Sequence, residues 1–249
     1  MNFKTEKPTS LLSVNADAKT VKGKAHGYLT GILYLSPSDT SGHQVCPGAK
    51  RAGCEAACLN RAGKGGMNSV QNARLRKTRL FFDEREWFMA QLTRDIESLQ
   101  RKAQREGALP AVRLNGTSDI NWQTVPLLYR GEVYSNIFKV FPNVQFYDYS
   151  KYLMSSKESN YHLTFSYSPL AAFSASAYRA VEEGLNLAVV FRGQPPETFL
   201  GMPVIDGDAT DLRFMDPPYH VVALKAKGPA KKDFSGFVVD MEQALKLTA

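Results

Sequence analysis

Gly27-Tyr28-Leu29-Thr30-Gly31-Ile32-Leu33-Tyr34-Leu35 runs into Ser36-Pro37-Ser38-Asp39-Thr40-Ser41-Gly42-His43, and then come Cys46, Cys54 and Cys58. The first run, aromatic and aliphatic, predicts a β-strand. The second, dense in Ser, Pro, Asp and Gly, predicts a turn-rich loop. Ala52 to Arg61 reads as a short Ala-rich helix stopped by the glycines at 63, 65 and 66. A strand that empties into a cysteine loop sets the pattern for the rest of the chain.

Downstream, Asn68–Phe82 reads as a strongly basic helix. Asp83-Glu84-Arg85-Glu86 has the form of a capping box, opening a helix to about Glu106 whose apolar face is Phe88, Leu92, Ile96 and Leu99. Gly107 and Pro110 end it. Strands are then expected at Ala111–Leu114, Val144–Tyr147, His162–Phe165, Leu187–Phe191, Val204–Ile205 and Val221–Leu224. Helices are expected at Val125–Phe141, Leu170–Glu183 and Met241–Leu247. Alternating strands and helices imply parallel pairing through crossovers. The fold class is therefore α/β, either a partial (β/α) barrel or an open, mostly parallel sheet covered by helices. Residues 1–25 read as an N-terminal arm, and 26–249 as a single α/β domain with the cysteine loop at 36–66.

The chain has 249 residues, 43% hydrophobic and 22% charged, ample for a full core. No apolar stretch suits a secretory signal or a membrane span, so a soluble, cytoplasmic protein with no membrane partner is expected. Net charge is +7 and unevenly placed: residues 1–82 hold 13 Lys and Arg against 4 Asp and Glu, the remainder 18 against 20. The basic third, centred on Arg74-Leu75-Arg76-Lys77-Thr78-Arg79, suggests an anionic partner such as nucleic acid, or else a solvated helix face.

Three clustered cysteines suit metal or redox chemistry better than a disulfide framework. On a helix Cys54 and Cys58 would share one face, and Cys46 can return to the same point through the loop. Lys50, Arg51 and the helix N-terminus would favour thiolates. An iron–sulfur cluster is the expected occupant, with His43 a candidate fourth ligand. Zinc is the alternative, although a seven-residue gap between Cys46 and Cys54 is not a structural zinc spacing. The remaining reading is that the cysteines simply pack as small hydrophobes.

The strand, the three-cysteine loop and the alternating units resemble the radical S-adenosylmethionine enzymes. That resemblance implies a [4Fe–4S] cluster on Cys46, Cys54 and Cys58, an open iron, and S-adenosylmethionine upon it. The spacing here is C-x7-C-x3-C where that superfamily has C-x3-C-x2-C. Over roughly residues 25–240 the segments Cys46-Pro-Gly-Ala49, Arg113-Leu-Asn-Gly-Thr-Ser-Asp119 and Asp206-Gly-Asp-Ala-Thr-Asp-Leu-Arg-Phe214 resemble a group of uncharacterised bacteriophage proteins. This implies a phage origin, a similar architecture and residence in the host cytoplasm.

Each expected strand ends in polar residues, and in α/β folds ligands sit at the carboxyl ends of the strands. The candidate catalytic residues are Asp119, Asp148, Ser166, Ser168, Arg192 and Asp206, with Asn115 and Lys151 as candidate binders of a cofactor or a small-molecule substrate. Three functions follow: cluster-dependent catalysis, a hydrolase using Ser166 or Ser168 with His162 and Asp148, or a nucleic-acid-associated phage factor. No nucleophile elbow, Walker or Rossmann glycine pattern is present. The run Asp206–Asp211 lacks the ligand spacing of an EF-hand and reads as a turn, with Asp211 and Arg213 as a local ion pair.

Overall fold

The computed structural model describes residues 6–15, 21–152, 156–240 and 242. Nine strands lie in one sheet in the order β1-β2-β3-β6-β7-β8-β11-β10-β9. Their ranges are β1 Leu12–Val14, β2 Tyr28–Leu33, β3 Leu109–Arg113, β6 Gln145–Ser150, β7 Tyr161–Ser166, β8 Leu187–Phe191, β9 Thr198–Phe199, β10 Met202–Asp206 and β11 Val221–Lys225. The β2–β3, β3–β6, β7–β8, β8–β11 and β10–β11 pairs are parallel. The outermost pairs, β1–β2 and β9–β10, are antiparallel. The sheet is open rather than a barrel, because a short antiparallel strand occupies each edge.

The chain forms two compact units, and the boundary between them falls within β6 and β7. Unit one is Met1–Cys46, Asn68–Asp148 and Ser156–His162; unit two is Pro47–Met67, Tyr149–Ser155 and Leu163–Ala249.

In unit one, α1 (Asn68–Asp83) and α2 (Arg85–Arg105) follow β2. The expected apolar face of α2 is buried: Phe88, Leu92, Ile96 and Leu99 are all 2% exposed or less. Gly31 lets that face close on β2, since a Cβ there would lie 3.2 Å from Leu99. The expected capping box is not made. Glu84 is the N-cap of α2 and its side chain makes no capping bond.

The expected arm contains β1. Asp95 on α2 accepts the backbone N–H groups of Leu11, at 2.5 Å, and Leu12, at 3.1 Å, which ties β1 to the helix. The expected helix at Val125–Phe141 is instead a hairpin, β4 (Leu127–Tyr129) and β5 (Glu132–Tyr134), followed by one turn of α3 (Ile137–Val140). Arg130 and Gly131 join the strands with φ of 51° and 86°. Two consecutive positive φ values make the hairpin turn whose twist matches the strands.

In unit two, α4 (Ala171–Glu182) matches expectation and buries Phe173, Ala177 and Ala180. The core around it includes Phe165, Tyr167, Leu187, Val189, Phe191, Phe199 and Met202. The expected helix at Ala52–Arg61 does not form. Turns cover most of it, and short 3-10 helices lie at Leu59–Arg61 and Gly63–Gly66. Gly53, at φ +70°, breaks the run. The expected helix at Met241–Leu247 lies outside the described residues. No described helix is long and apolar enough to cross a membrane.

Candidate functional site at the strand ends

Beyond β3 the chain turns sharply at Gly116, whose N–H donates to Leu33 O at 3.0 Å. A Cβ at Gly116 would meet Leu33 O at 2.7 Å, so only glycine lets this loop lie against the end of β2. Asn115 then organises the turn. Its Oδ1 accepts from Ser118 Oγ at 2.8 Å, Ile120 N at 3.0 Å and Trp122 Nε1 at 3.1 Å, and its Nδ2 donates to Ile120 O at 3.0 Å. The expected cofactor binder is therefore 4% exposed and committed to its own loop.

Asp148, expected to be catalytic, is fully buried at the end of unit one's share of β6. It accepts Asn115 N–H at 2.7 Å and the Tyr161 hydroxyl at 3.1 Å. Burial pushes its carboxyl up to about 7, against the opposing pull of the Arg113 charge and those hydrogen bonds. Burial, followed by the Asp148 charge, likewise raises the Tyr161 phenol well above its ordinary value. A carboxyl with no exposure cannot reach a substrate, so Asp148 acts through the loop it holds. The sequence reading missed its neighbours Arg113 and Tyr161. The one available signal was an arginine at the end of an apolar strand run.

The same loop meets the first cysteine. Cys46 Sγ lies 3.7 Å from Thr117 O, Thr117 Oγ1 donates to Leu35 O at 2.5 Å, and Asp119 N donates to Val45 O at 2.8 Å. Cys46 and Asp119 are both half-buried. His43, the candidate fourth ligand, is engaged elsewhere. Its ring stacks on Phe82 at 4.2 Å, and Nε2 faces Asp83 Oδ1 at 3.5 Å.

In unit two the other cysteines ride on a loop laid over the carboxyl ends of β6 and β7. Ser168 Oγ donates to Ala52 O at 2.9 Å, and Ser235 Oγ donates to Gly53 O at 2.8 Å. Gly48 sits so close to Lys151 that a Cβ would come within 3.2 Å of its side chain. Cys54 Sγ lies 3.7 Å from Ala49 O, and Cys54 packs against a small cluster of Ala57, Ala230, Phe237 and Val238. Cys58 caps the 3-10 turn after it, its Sγ accepting Asn60 N–H at 3.4 Å. All three cysteines are half-buried and none is in a disulfide. Among the described residues, no three His, Cys, Asp or Glu side chains stand grouped to hold a metal ion.

Lys151 and Ser166 meet beneath that loop. Lys151 is 7% exposed, and Nζ donates to Ser166 O and Ser166 Oγ, each at 2.9 Å, and to Tyr167 O at 3.1 Å. Its ammonium also lies 4.4 Å from the centre of the Phe237 ring. Three acceptors match the three N–H bonds of an ammonium. Ser168, 1% exposed, is an anchor for the loop through Ala52 rather than an open nucleophile.

The last candidates lie further along unit two. Arg192 Nη1 donates to Lys231 O at 2.6 Å and Nη2 to Asp233 O. Asp206 Oδ1 accepts Asp208 N–H at 2.8 Å, and Asp208 pairs with Lys227 at 2.5 Å. The run is a turn, as expected. Arg213 pairs with Asp216 at 3.3 Å and donates to Thr210 O.

The basic stretch of α1 is largely consumed inside unit one. Arg74 is buried, with its guanidinium 4.9 Å from the centre of the Tyr34 ring. Arg76 pairs with Glu6 at 2.7 Å, and Lys77 donates to Leu11 O at 2.6 Å. Burial lowers the Lys77 ammonium to about 8. Arg76 and Arg79 are the exposed members, so the four cations do not all lie on the surface.

Among known proteins, a family model described as gene product 88 matches residues 10–241. No curated protein and no solved structure matches the chain.

Proposed function

We propose, for a chain that belongs to the gene product 88 family, a phage iron–sulfur protein acting as an enzyme, with a [4Fe–4S] cluster on Cys46, Cys54 and Cys58. The supporting observation is the position of the loop that carries Cys54 and Cys58. It lies across the carboxyl ends of β6 and β7, held by Ser168 and Ser235, where α/β folds bind their ligands. The donors suit the group in kind: they are half-buried cysteine sulfurs outside any disulfide, and Cys58 already accepts a backbone N–H. Such N–H···S bonds tune cluster sulfurs.

When bound, the cluster would supply an iron without a protein thiol, open to S-adenosylmethionine or a substrate. The chain's own residues do the positioning. Asn115 and Asp148 fix the loop that carries Thr117 beside Cys46, and Ser168 fixes the loop of the other two cysteines. Anaerobic protein made with ample iron should carry about four iron and four sulfide per chain. Stoichiometric zinc without sulfide would sink the proposal and leave a zinc site in its place. Release of 5′-deoxyadenosine or methionine on reduction with S-adenosylmethionine would identify the chemistry.

A second reading, a serine hydrolase, draws on Lys151 Nζ lying 2.9 Å from Ser166 Oγ, since serine–lysine pairs serve as nucleophile and base. It requires Lys151 to give up a proton held among three acceptors. Ester hydrolysis that survives in cluster-free protein and disappears in Ser166→Ala would support it.

A further inference from the structure

Strand numbers in the sheet ascend to β8 and then fall through β11, β10 and β9. The order therefore reverses between β8 and β11, which run parallel with Phe191 opposite Lys225. Such reversals open a crevice outside the carboxyl ends of the strands. A cleft of about 400 Å³ lies at this point, lined by Phe191, Arg192, Gly193, Gln194, Lys225, Ala226 and Lys231. Its lining has three cationic side chains and, among the described residues, no acidic one.

The nearby carboxylates are already committed. Asp208 takes Lys227 and the N–H of Lys225, at 2.5 and 3.0 Å. Asp233 accepts the N–H groups of Ser235 and Val238, at 3.1 and 3.3 Å. Lys225 and Lys231 are exposed and have no carboxylate partner among the described residues. Arg192 braces the turn that carries Lys231, and its guanidinium lies 5.4 Å from the centre of the Phe234 ring. Phe234 is 91% exposed, far more than any other large hydrophobic among the described residues except Val133. One side of its ring faces the guanidinium and the rest is open to solvent.

We propose that this cleft binds a nucleotide unit, with its phosphate between Lys225 and Lys231 and its base stacked on Phe234. Exposed aromatics beside a cationic groove are the ordinary means of holding a base and its phosphate without reading sequence. The unit can come from a free mononucleotide or from a single strand. The assay therefore uses thymidine monophosphate, inorganic phosphate and a thymidylate strand of about ten nucleotides.

The full-length protein is titrated with each probe at several salt concentrations, alongside Lys225→Gln/Lys231→Gln and Phe234→Ala. All three positions are exposed, and thermal melting of the variants checks that the fold is retained. The expected result is binding of the mononucleotide, the strand or both. Phe234→Ala should weaken it roughly tenfold, the scale of one base–aromatic stack, and leave any phosphate binding unchanged. The double lysine variant should lower the salt slope for the strand by about 1.4, two phosphate contacts' worth. A strand that binds much more tightly than the mononucleotide identifies the single strand as the source; equal affinities identify the free nucleotide. Absence of binding to all three probes, or affinities indifferent to both variants, overturns the proposal. So does phosphate binding alone with no effect of Phe234→Ala.

Discussion

Replacing Asp148 by Asn should remove one pH dependence of stability and leave the others in place. In the folded chain this carboxyl is fully buried, and burial raises it from 3.8 to about 7. Between those values the folded state holds a proton that the unfolded chain has released. Stability therefore falls as pH rises through the window and is level on either side of it. The window spans about three pH units at roughly 1.4 kcal/mol each, or about 4 kcal/mol. In Asp148→Asn the amide oxygen can still accept Asn115 N–H, and the amide nitrogen can donate to the Tyr161 hydroxyl, so the loop keeps both bonds. The variant carries no titrating group there, and the buried Arg113 charge adds a penalty that is constant across the window. Urea unfolding of both proteins between about pH 4 and 8 tests this. The stability of the wild type relative to the variant should drop by about 4 kcal/mol from pH 4 to pH 7. A difference curve that stays flat would refute the assignment of the proton to Asp148.

Arg213→Met should cost about 3–5 kcal/mol in urea unfolding, because it strands Asp216, whose side chain is 8% exposed against a fully buried guanidinium. Adding Asp216→Leu should recover part of that loss, since a buried pair replaced whole is far less harmful than one broken. Gly116→Ala should lose about 1–3 kcal/mol, because the new methyl meets Leu33 O and Tyr34 at 2.7 Å; thermal melting would show it. Cys46→Ala, Cys54→Ala and Cys58→Ala should each lose most of the iron and sulfide and lower the melting temperature of the loaded protein, since metal-binding energy is also folding energy. Variants that keep full iron content would remove that cysteine from the ligand set.

Much of the fold was legible because its signals are local. Leu187–Phe191 and 221–224 are unbroken apolar runs, which suits strands flanked by parallel neighbours. The stripe Phe88, Leu92, Ile96, Leu99 shows a helix and the face it buries. The misreadings have equally local causes. Arg130-Gly131 is a hairpin turn only when a non-glycine residue takes positive φ. Gly53 ends a helix that the alanines around it favour. The short strand Leu12–Val14 needs Asp95, more than 80 residues away, to receive its amides.

From the sequence alone came the α/β alternation, the cluster of three thiols after the first strand, and polar residues at the strand ends. These depend on periodicity, composition and spacing, which are properties of neighbours along the chain. Which of the polar residues face solvent was decided by the tertiary structure. Asp148, Asn115, Lys151 and Ser168 look like mouth residues in one dimension, yet each is 7% exposed or less and bonded into a loop. The α1 cations look like one surface, yet Arg74 and Lys77 turn inward to Tyr34 and Leu11. The cleft beside β8 gathers Arg192, Lys225 and Lys231 from positions up to 39 residues apart. Burial and charge partnership depend on what folds back against a residue, and sequence spacing carries no record of that.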